Sequence, residues 1–182
     1  MAPRNLTPLR LYQADDPVGD QPPPSDRESR SVPAPVGDAV RQLYDDLDRE
    51  ISARNPRCEA SGKCCRFKEY GHTLFLSNLE AAVLLEMAPP YSPEMVTDAF
   101  CPFQAGNLCT ARDHRPVGCR VYFCDPGFES SMSELTEQAV RRLKNLAEAG
   151  GLRWLYAPLH TFLRDPDQAI LTSITPSEEC NP

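Results

Sequence analysis

The residues best suited to chemistry are seven cysteines in two groups, in the stretches "CEASGKCC" and "CPFQAGNLCTARDHRPVGCRVYFC". They are Cys58, Cys64, Cys65, Cys101, Cys109, Cys119 and Cys124. A cysteine thiolate is a metal ligand, and four thiolates supplied by loops satisfy either a Zn²⁺ ion or an iron–sulfur cluster. The sequence therefore predicts a cysteine-ligated metal centre that ties two loops together, with an iron–sulfur cluster or zinc as the cofactor.

The spacing of the cysteines leaves the metal and the number of sites open. There is no Cys-x₂-Cys pair of the kind found in zinc ribbons, and no interval matches a ferredoxin run. Cys64 and Cys65 are adjacent, so in an extended backbone their side chains would point to opposite faces. Both can ligate one metal only if the backbone turns sharply there. Seven thiols also exceed the four that one site needs, and the other three could join His72 or His114 in a second centre.

Arg66, Arg115 and Arg120 each lie within four residues of a cysteine in these groups. Four thiolates around a dication leave a net negative charge, which a guanidinium group could offset while donating hydrogen bonds to sulfur. The alternative for each arginine is a solvated position on the surface.

The composition narrows the class of protein. The 182 residues include 26 acidic and 19 basic side chains, and the resulting formal charge of −7 disfavours partners such as nucleic acid or anionic lipid. No apolar run reaches the length of about 18 residues that suggests a membrane span, and the N-terminus has no apolar signal-peptide core. We therefore expect a cytoplasmic protein, where clustered thiols are ligands more often than disulfides. An exported domain held together by disulfides is the alternative.

The chain divides into three parts by composition. Residues 1–36 hold eight of the 19 prolines and predict a disordered tail. Residues 37–165 predict the domain that carries the cysteine groups and binds the metal. Residues 166–182 are polar and predict a flexible C-terminal tail.

Three helices and a hairpin are predicted to position the cysteines. One helix is expected over about 38–53, a second after Ser77, which forms a capping box with Glu80, and a third over about 132–149. A β-hairpin is expected over 98–112, and the stretch "LRWLYAPLHTFLRD" predicts a strand-like piece and a short helix. The expected fold class is α+β: a small single domain in which the hairpin and the cysteine-bearing loops pack against about three helices. The predicted buried faces are Val40, Leu43, Leu47 and Ile51; Leu79, Ala82, Val83 and Met87; and Leu135, Ala139, Leu143 and Leu146.

The order of these motifs resembles a known family. Vicinal cysteines after a glycine, then Cys-Pro-Phe, then Arg-Pro-x-x-Cys-Arg are similar to the YkgJ-type cysteine-cluster proteins, over about residues 57–127. Those proteins are described as zinc- or iron-chelating domains and are often labelled iron–sulfur-cluster-containing proteins. Cys124 falls where many members have a proline or another residue. The resemblance implies a chelating cluster of Cys58, Cys64, Cys65, Cys101, Cys109 and Cys119.

Three functions are expected from these observations. The first is an iron–sulfur protein with a redox or electron-transfer role and a protein partner. The second is a structural zinc domain for protein–protein contacts. The third rests on the flagellin lysine N-methylases, which share a related cysteine pattern, and would be an Fe–S-dependent, protein-lysine N-methylase-like enzyme. The sequence shows no Gly-rich strand-to-helix loop for a methyl donor and no paired carboxylates, so whether the protein is an enzyme stays open and no catalytic residue is predicted.

Overall fold

Five helices and four short strands build an α+β domain in this computed structural model, which describes residues 32–171 and 173. The predicted class, a small mixed domain, is confirmed. None of the helices within these residues is both long and apolar enough to cross a membrane. The helices are α1 (Ala34–Arg54), α2 (Asn78–Met87), α3 (Val117–Arg120), α4 (Glu129–Ala149) and α5 (Leu159–Arg164). The strands are β1 (Phe75–Ser77), β2 (Gln104–Ala105), β3 (Leu108–Cys109) and β4 (Tyr156–Pro158).

The two long helices, α1 and α4, pack against each other through the faces that their apolar periodicity predicts. In α1 the predicted residues are all buried, together with Tyr44. In α4 the buried face ends with Ala147, and Leu146 is only half-buried. Helix α1 also begins earlier than predicted, because a proline is well accommodated in a first helical turn. Residues 34–36, which the sequence assigned to the tail, are therefore helical.

Helix α2 is the centre of the domain. All of its residues from Asn78 to Leu84 are buried, because it packs against α1, β1, α5 and the turn Pro166–Ala169. The predicted capping box is present: the Ser77 hydroxyl accepts from the N–H of Glu80, and the Glu80 carboxylate accepts from the N–H of Ser77. The prediction that Met87 is buried was wrong. Met87 is the last residue of the helix, and 57% of it is exposed.

Two antiparallel strand pairs connect the helices. Strands β1 and β4 pair with Leu76 opposite Ala157, and this confirms the predicted strand-like piece that precedes the short helix α5. Strands β2 and β3 form the predicted hairpin, with Gln104 opposite Cys109. The hairpin is shorter than expected, because each strand has only two residues. Its turn consists of Gly106, which has a φ of +60°, and Asn107.

The two predicted tails lie largely outside the described residues. Of the C-terminal segment 166–182, Pro166–Ala169 forms a 3₁₀ turn that packs against α2, and Ser173 makes a β-bridge with Leu152. At the other end Val32 is buried. Part of each segment that the sequence assigned to a tail therefore packs on the domain.

Candidate metal centre

The backbone turns sharply at the adjacent cysteines. Gly62 has a φ of +71°, and the residues after it, Lys63–Cys65, form a 3₁₀ turn. A residue with a Cβ rarely adopts that φ, so glycine is the residue suited to start this turn. The turn brings the sulfur atoms of Cys64 and Cys65 to 3.9 Å from each other. The sharp turn that both cysteines need in order to ligate one metal is therefore present.

A short backbone pairing joins the two cysteine groups. The N–H of Cys101 donates to the carbonyl of Cys65 at 2.8 Å, and the N–H of Lys68 donates to the carbonyl of Ala99 at 3.0 Å. The chain then continues into the β2–β3 hairpin, which carries Cys109 at its end. Secondary structure thus places thiols from distant parts of the sequence on the same side of the domain.

Helix α3 supplies the last of the converging cysteines. Its first N–H, at Val117, donates to the carboxylate of Glu80 at 2.8 Å, and Glu80 belongs to α2. Burial raises the pKa of Glu80, while the hydrogen bonds from Ser77 and Val117 oppose that rise. This one buried carboxylate therefore fixes the short helix that carries Cys119. The sequence reveals Glu80 only as a capping residue.

Five cysteines line one small cavity of about 20 Å³. A volume of this size is comparable to the space that one water molecule occupies. Apart from the cysteines and Arg115, the wall is apolar. The cysteines are Cys64, Cys65, Cys101, Cys109 and Cys119. The other lining residues are Phe67, Leu74, Leu84, Phe103, Ala111, Arg115, Pro116 and Leu159.

Cys65 is at the centre of this set, because its thiol interacts with the thiols of Cys101, Cys109 and Cys64. Hydrogen bonding with these three raises the pKa of Cys65. The same contacts lower the pKa of Cys64 and of Cys109 to about 6 each, against an ordinary value of 9.0. Burial raises the pKa of Cys119 well above its ordinary value. The cavity thus places two thiols that ionise readily beside two that hold their protons.

The thiols face one another without closing around a common point. Within residues 32–171 and 173, no group of three or more His, Cys, Asp or Glu side chains lies at the mutual spacing that would hold a metal ion. The donor chemistry nevertheless suits a thiophilic metal, because the cavity offers five sulfur atoms and no side-chain oxygen.

Cys58 and Cys124 do not line the cavity. Cys58 is exposed, and the sulfur of Cys124 lies 3.4 Å from the hydroxyl of Ser61. Their loops adjoin, since the N–H of Arg57 donates to the Asp125 carboxylate at 3.0 Å. All seven cysteines in the described part of the chain are free, so no disulfide is present among them. The structure therefore divides the predicted ligand set into five and two.

Arg66, Arg115 and Arg120 differ in their surroundings. Arg115 lines the cavity, and its charge contributes to the lowered pKa of Cys64 and Cys109. Arg120 is buried and instead holds the fold: it pairs with Asp48, donates to two backbone carbonyls and lies 4.2 Å from the centre of the Tyr44 ring. Arg66 donates to the carbonyl of Ser61 and pairs with Glu69 on the surface.

The two histidines considered as ligands make no contact with a thiol that the structure records. His72 stacks on Tyr122 at 5.0 Å between ring centres, and its Nε2 lies 3.4 Å from the carbonyl oxygen of Cys64. His114 ends a 3₁₀ turn and is half-buried. Neither lines the cavity.

No protein-family model, no curated protein and no solved structure matches the chain.

Proposed function

We propose that this domain is a metal-binding module whose centre is ligated by thiolates drawn from the five cavity cysteines. The observation that carries the proposal is that thiols from three separate segments, residues 64–65, 101–109 and 119, line one apolar-walled cavity. Sulfur atoms facing such a space suit a metal that prefers soft ligands, and the apolar wall would keep water away from the metal–sulfur bonds.

The chain's own residues prepare for this ligation. Hydrogen bonding with Cys65 lowers the pKa of Cys64 and of Cys109, which favours their thiolate forms. Cys65, Cys101 and Cys119 are the further candidate donors, and metal binding would release their protons. The guanidinium of Arg115 would balance part of the negative charge. Such a centre would also stabilise the fold, since it would cross-link loops that a few backbone hydrogen bonds now connect.

A single ion such as Zn²⁺, in a structural role, is the form that the small size of the cavity favours, and the thiols would have to close around it. The cavity of about 20 Å³ has room for one ion, whereas an iron–sulfur cluster would have to push the walls apart. With Cys58 and Cys124 set apart, only one thiol remains beyond the four of a tetrahedral site. A closed site of this kind is typical of zinc domains that serve protein–protein contacts.

An iron–sulfur centre with a redox role is the second candidate, and one observation favours it. Cys101 also lines an open surface cleft, so electrons would have a short path from the cavity to a partner protein. The methylase-like enzyme stays a prediction without such support, because the cavity wall offers no carboxylate or histidine for acid–base work.

The experiment is to purify the full chain without oxygen and to measure metal content, acid-labile sulfide and the visible spectrum. One zinc per chain in a colourless protein supports the structural zinc site. Iron and sulfide in equal amounts with a brown colour support the iron–sulfur centre. A well-folded protein that binds neither zinc nor iron after reconstitution would refute both.

A further inference from the structure

A surface cleft adjoins the cysteine cavity. It has a volume of about 590 Å³, which is within the range of small-molecule sites, and it is open to solvent. Cys101 belongs to the walls of both the cleft and the cavity. Apart from the electron path given for an iron–sulfur centre, no function described above uses this cleft.

The backbone pairing that joins the cysteine groups also builds the cleft. The hydrogen bonds from Cys101 to Cys65 and from Lys68 to Ala99 hold the segments 65–69 and 99–102 side by side. The side chains that leave this pairing on its outer side, among them Lys68 and Phe100, line the cleft. The backbone of the cleft is therefore held by main-chain contacts, which a ligand would not have to form.

The charges in the cleft favour an anion. Arg66 and Glu69 neutralise each other, because both carboxylate oxygens of Glu69 lie 3.3 Å from the same guanidinium nitrogen. Lys68 makes no ion pair with any residue of the described chain, although it is exposed at the rim. One uncompensated positive charge thus faces the cleft in a protein whose formal charge is −7.

The apolar part of the cleft favours a flat ligand. Phe100 is 50% exposed, and together with Pro102 it lines the cleft with apolar surface next to the Lys68 ammonium. Aromatic rings stack on such a surface, and an ammonium attracts a carboxylate placed beside them. Gln104, held by its bond to the carbonyl of Gly62 at 3.2 Å, forms the polar end of the wall.

We propose that this cleft binds a small organic acid, with its carboxylate at Lys68 and its planar apolar body against Phe100 and Pro102. The occupant carries one negative charge, because only one positive charge in the cleft is uncompensated. The ligand would lie beside Cys101, which also lines the cysteine cavity. The proposal does not depend on a metal being bound.

The test is a calorimetric and NMR titration of the full chain with 2-naphthoate, compared with 2-naphthamide, which has the same rings without the charge. Naphthoate should shift the amide signals of residues 66–69 and 99–104 and bind more tightly than the amide. Lys68→Gln should weaken naphthoate binding about two- to fivefold, as expected for an exposed ion pair. Phe100→Ala should weaken it about three- to tenfold, and Phe100→Leu, which keeps apolar bulk but not the ring, by an intermediate amount.

Matched controls come from elsewhere on the surface. Lys144→Gln on α4 and Met95→Ala, at a residue that is 75% exposed, should leave naphthoate binding unchanged. Equal binding of naphthamide, signal shifts outside the cleft, or undiminished binding by Lys68→Gln would overturn the proposal. Metal content is measured on the same samples. Protein that binds metal but not naphthoate would refute only the proposed cleft ligand. Protein that binds naphthoate but no metal would refute only the proposed metal centre.

Discussion

The backbone N–H of Cys101 donates a 2.8 Å hydrogen bond to the carbonyl of Cys65, and this contact brings the two cysteine groups together. The thiols of the same two residues also interact, and both line the cavity. Backbone and side-chain contacts between Cys65 and Cys101 thus join the two segments at the same place. On the inner side of this pairing lie the sulfur atoms, and on its outer side lies the cleft with Lys68 and Phe100.

Serine substitutions should lower metal binding at the five cavity cysteines but not at Cys58 or Cys124. We expect Cys65→Ser and Cys119→Ser to lower metal affinity at least about 100-fold, because even the loss of an outer partner of a metal ligand costs about 10–100-fold. The same change at Cys58 or Cys124 should leave metal content and the melting temperature nearly unchanged, because neither residue lines the cavity. Metal analysis and thermal unfolding are the measurements. An equal loss of metal in Cys58→Ser would return that residue to the ligand set, as the family resemblance implies.

Gly62→Ala should destabilise the vicinal-cysteine turn more than Gly71→Ala. Both glycines have a positive φ, of +71° and +66°, so each substitution incurs a backbone cost of about 1–2 kcal/mol. A Cβ on Gly62 would also lie 2.4 Å from the Gln104 side chain and 3.2 Å from the Asn107 backbone, whereas a Cβ on Gly71 would meet nothing within 4 Å. Urea unfolding of the two variants measures the difference. Equal destabilisation would mean that the close approach at Gly62 is relieved without cost.

Glu80→Gln should lower the free energy of unfolding by about 1–3 kcal/mol. The carboxylate accepts from the N–H of Ser77, the hydroxyl of Ser77 and the N–H of Val117, and an amide cannot accept from all three while its own NH₂ group faces these donors. Glu137→Gln, the same change at an exposed position of α4, is the matched control and should have little effect. Chemical denaturation gives both values, and a neutral Glu80→Gln would contradict the assigned role.

The ion pairs of Asp46 should make stability depend on pH. Hydrogen bonds from Arg142 and Gln42 lower the pKa of Asp46 from 3.8 to about 2. Because the folded-state pKa lies below the unfolded value, Asp46 stabilises the fold above pH 3.8, and this contribution fades as the pH falls from 3.8 towards 2. Asp46→Asn should therefore be less stable than the native chain at pH 6, and the difference should shrink below pH 4.

Denaturation series at several pH values would measure this effect. Asp45→Asn, at an exposed neighbour in the same helix, separates the loss of one negative charge from the loss of the contacts to Arg142 and Arg49. A constant difference between the native chain and Asp46→Asn from pH 6 to pH 2.5 would rule out the ion pairs as its source.

The sequence predicted those parts of the fold whose signals are local. The apolar spacing from Val40 to Ile51 predicted α1, and the Ser77–Glu80 pair predicted the start of α2, because each pattern spans only one or a few helical turns. Helix α3 was missed, since Val117–Arg120 is too short to show any periodicity. Met87 was misplaced because periodicity does not tell where the neighbouring elements stop covering a helix.

The candidate site was predictable in its chemistry but not in its membership. Seven cysteines look alike in a sequence, and nothing local separates Cys58 and Cys124 from the other five. The separation arises from long-range contacts, such as those between Cys65 and Cys101 and between Arg57 and Asp125. The role of Gly62 could have been found, because a glycine directly before two adjacent cysteines suggests the turn that both would need.

The carboxylate shared between α2 and Val117 bears on how the chain can be assembled. Glu80 leaves the ribosome 37 residues before the amide that it later binds, counted from 80 to 117. Until Val117 is synthesised, burying the ionised Glu80 carboxylate would cost free energy that no hydrogen bond from Val117 offsets. The faces of α2 that later contact α5 and Pro166–Ala169 would also stay exposed. The domain therefore cannot be cut into two independently folding halves between α2 and α3, and nascent chains that end there should depend on chaperones.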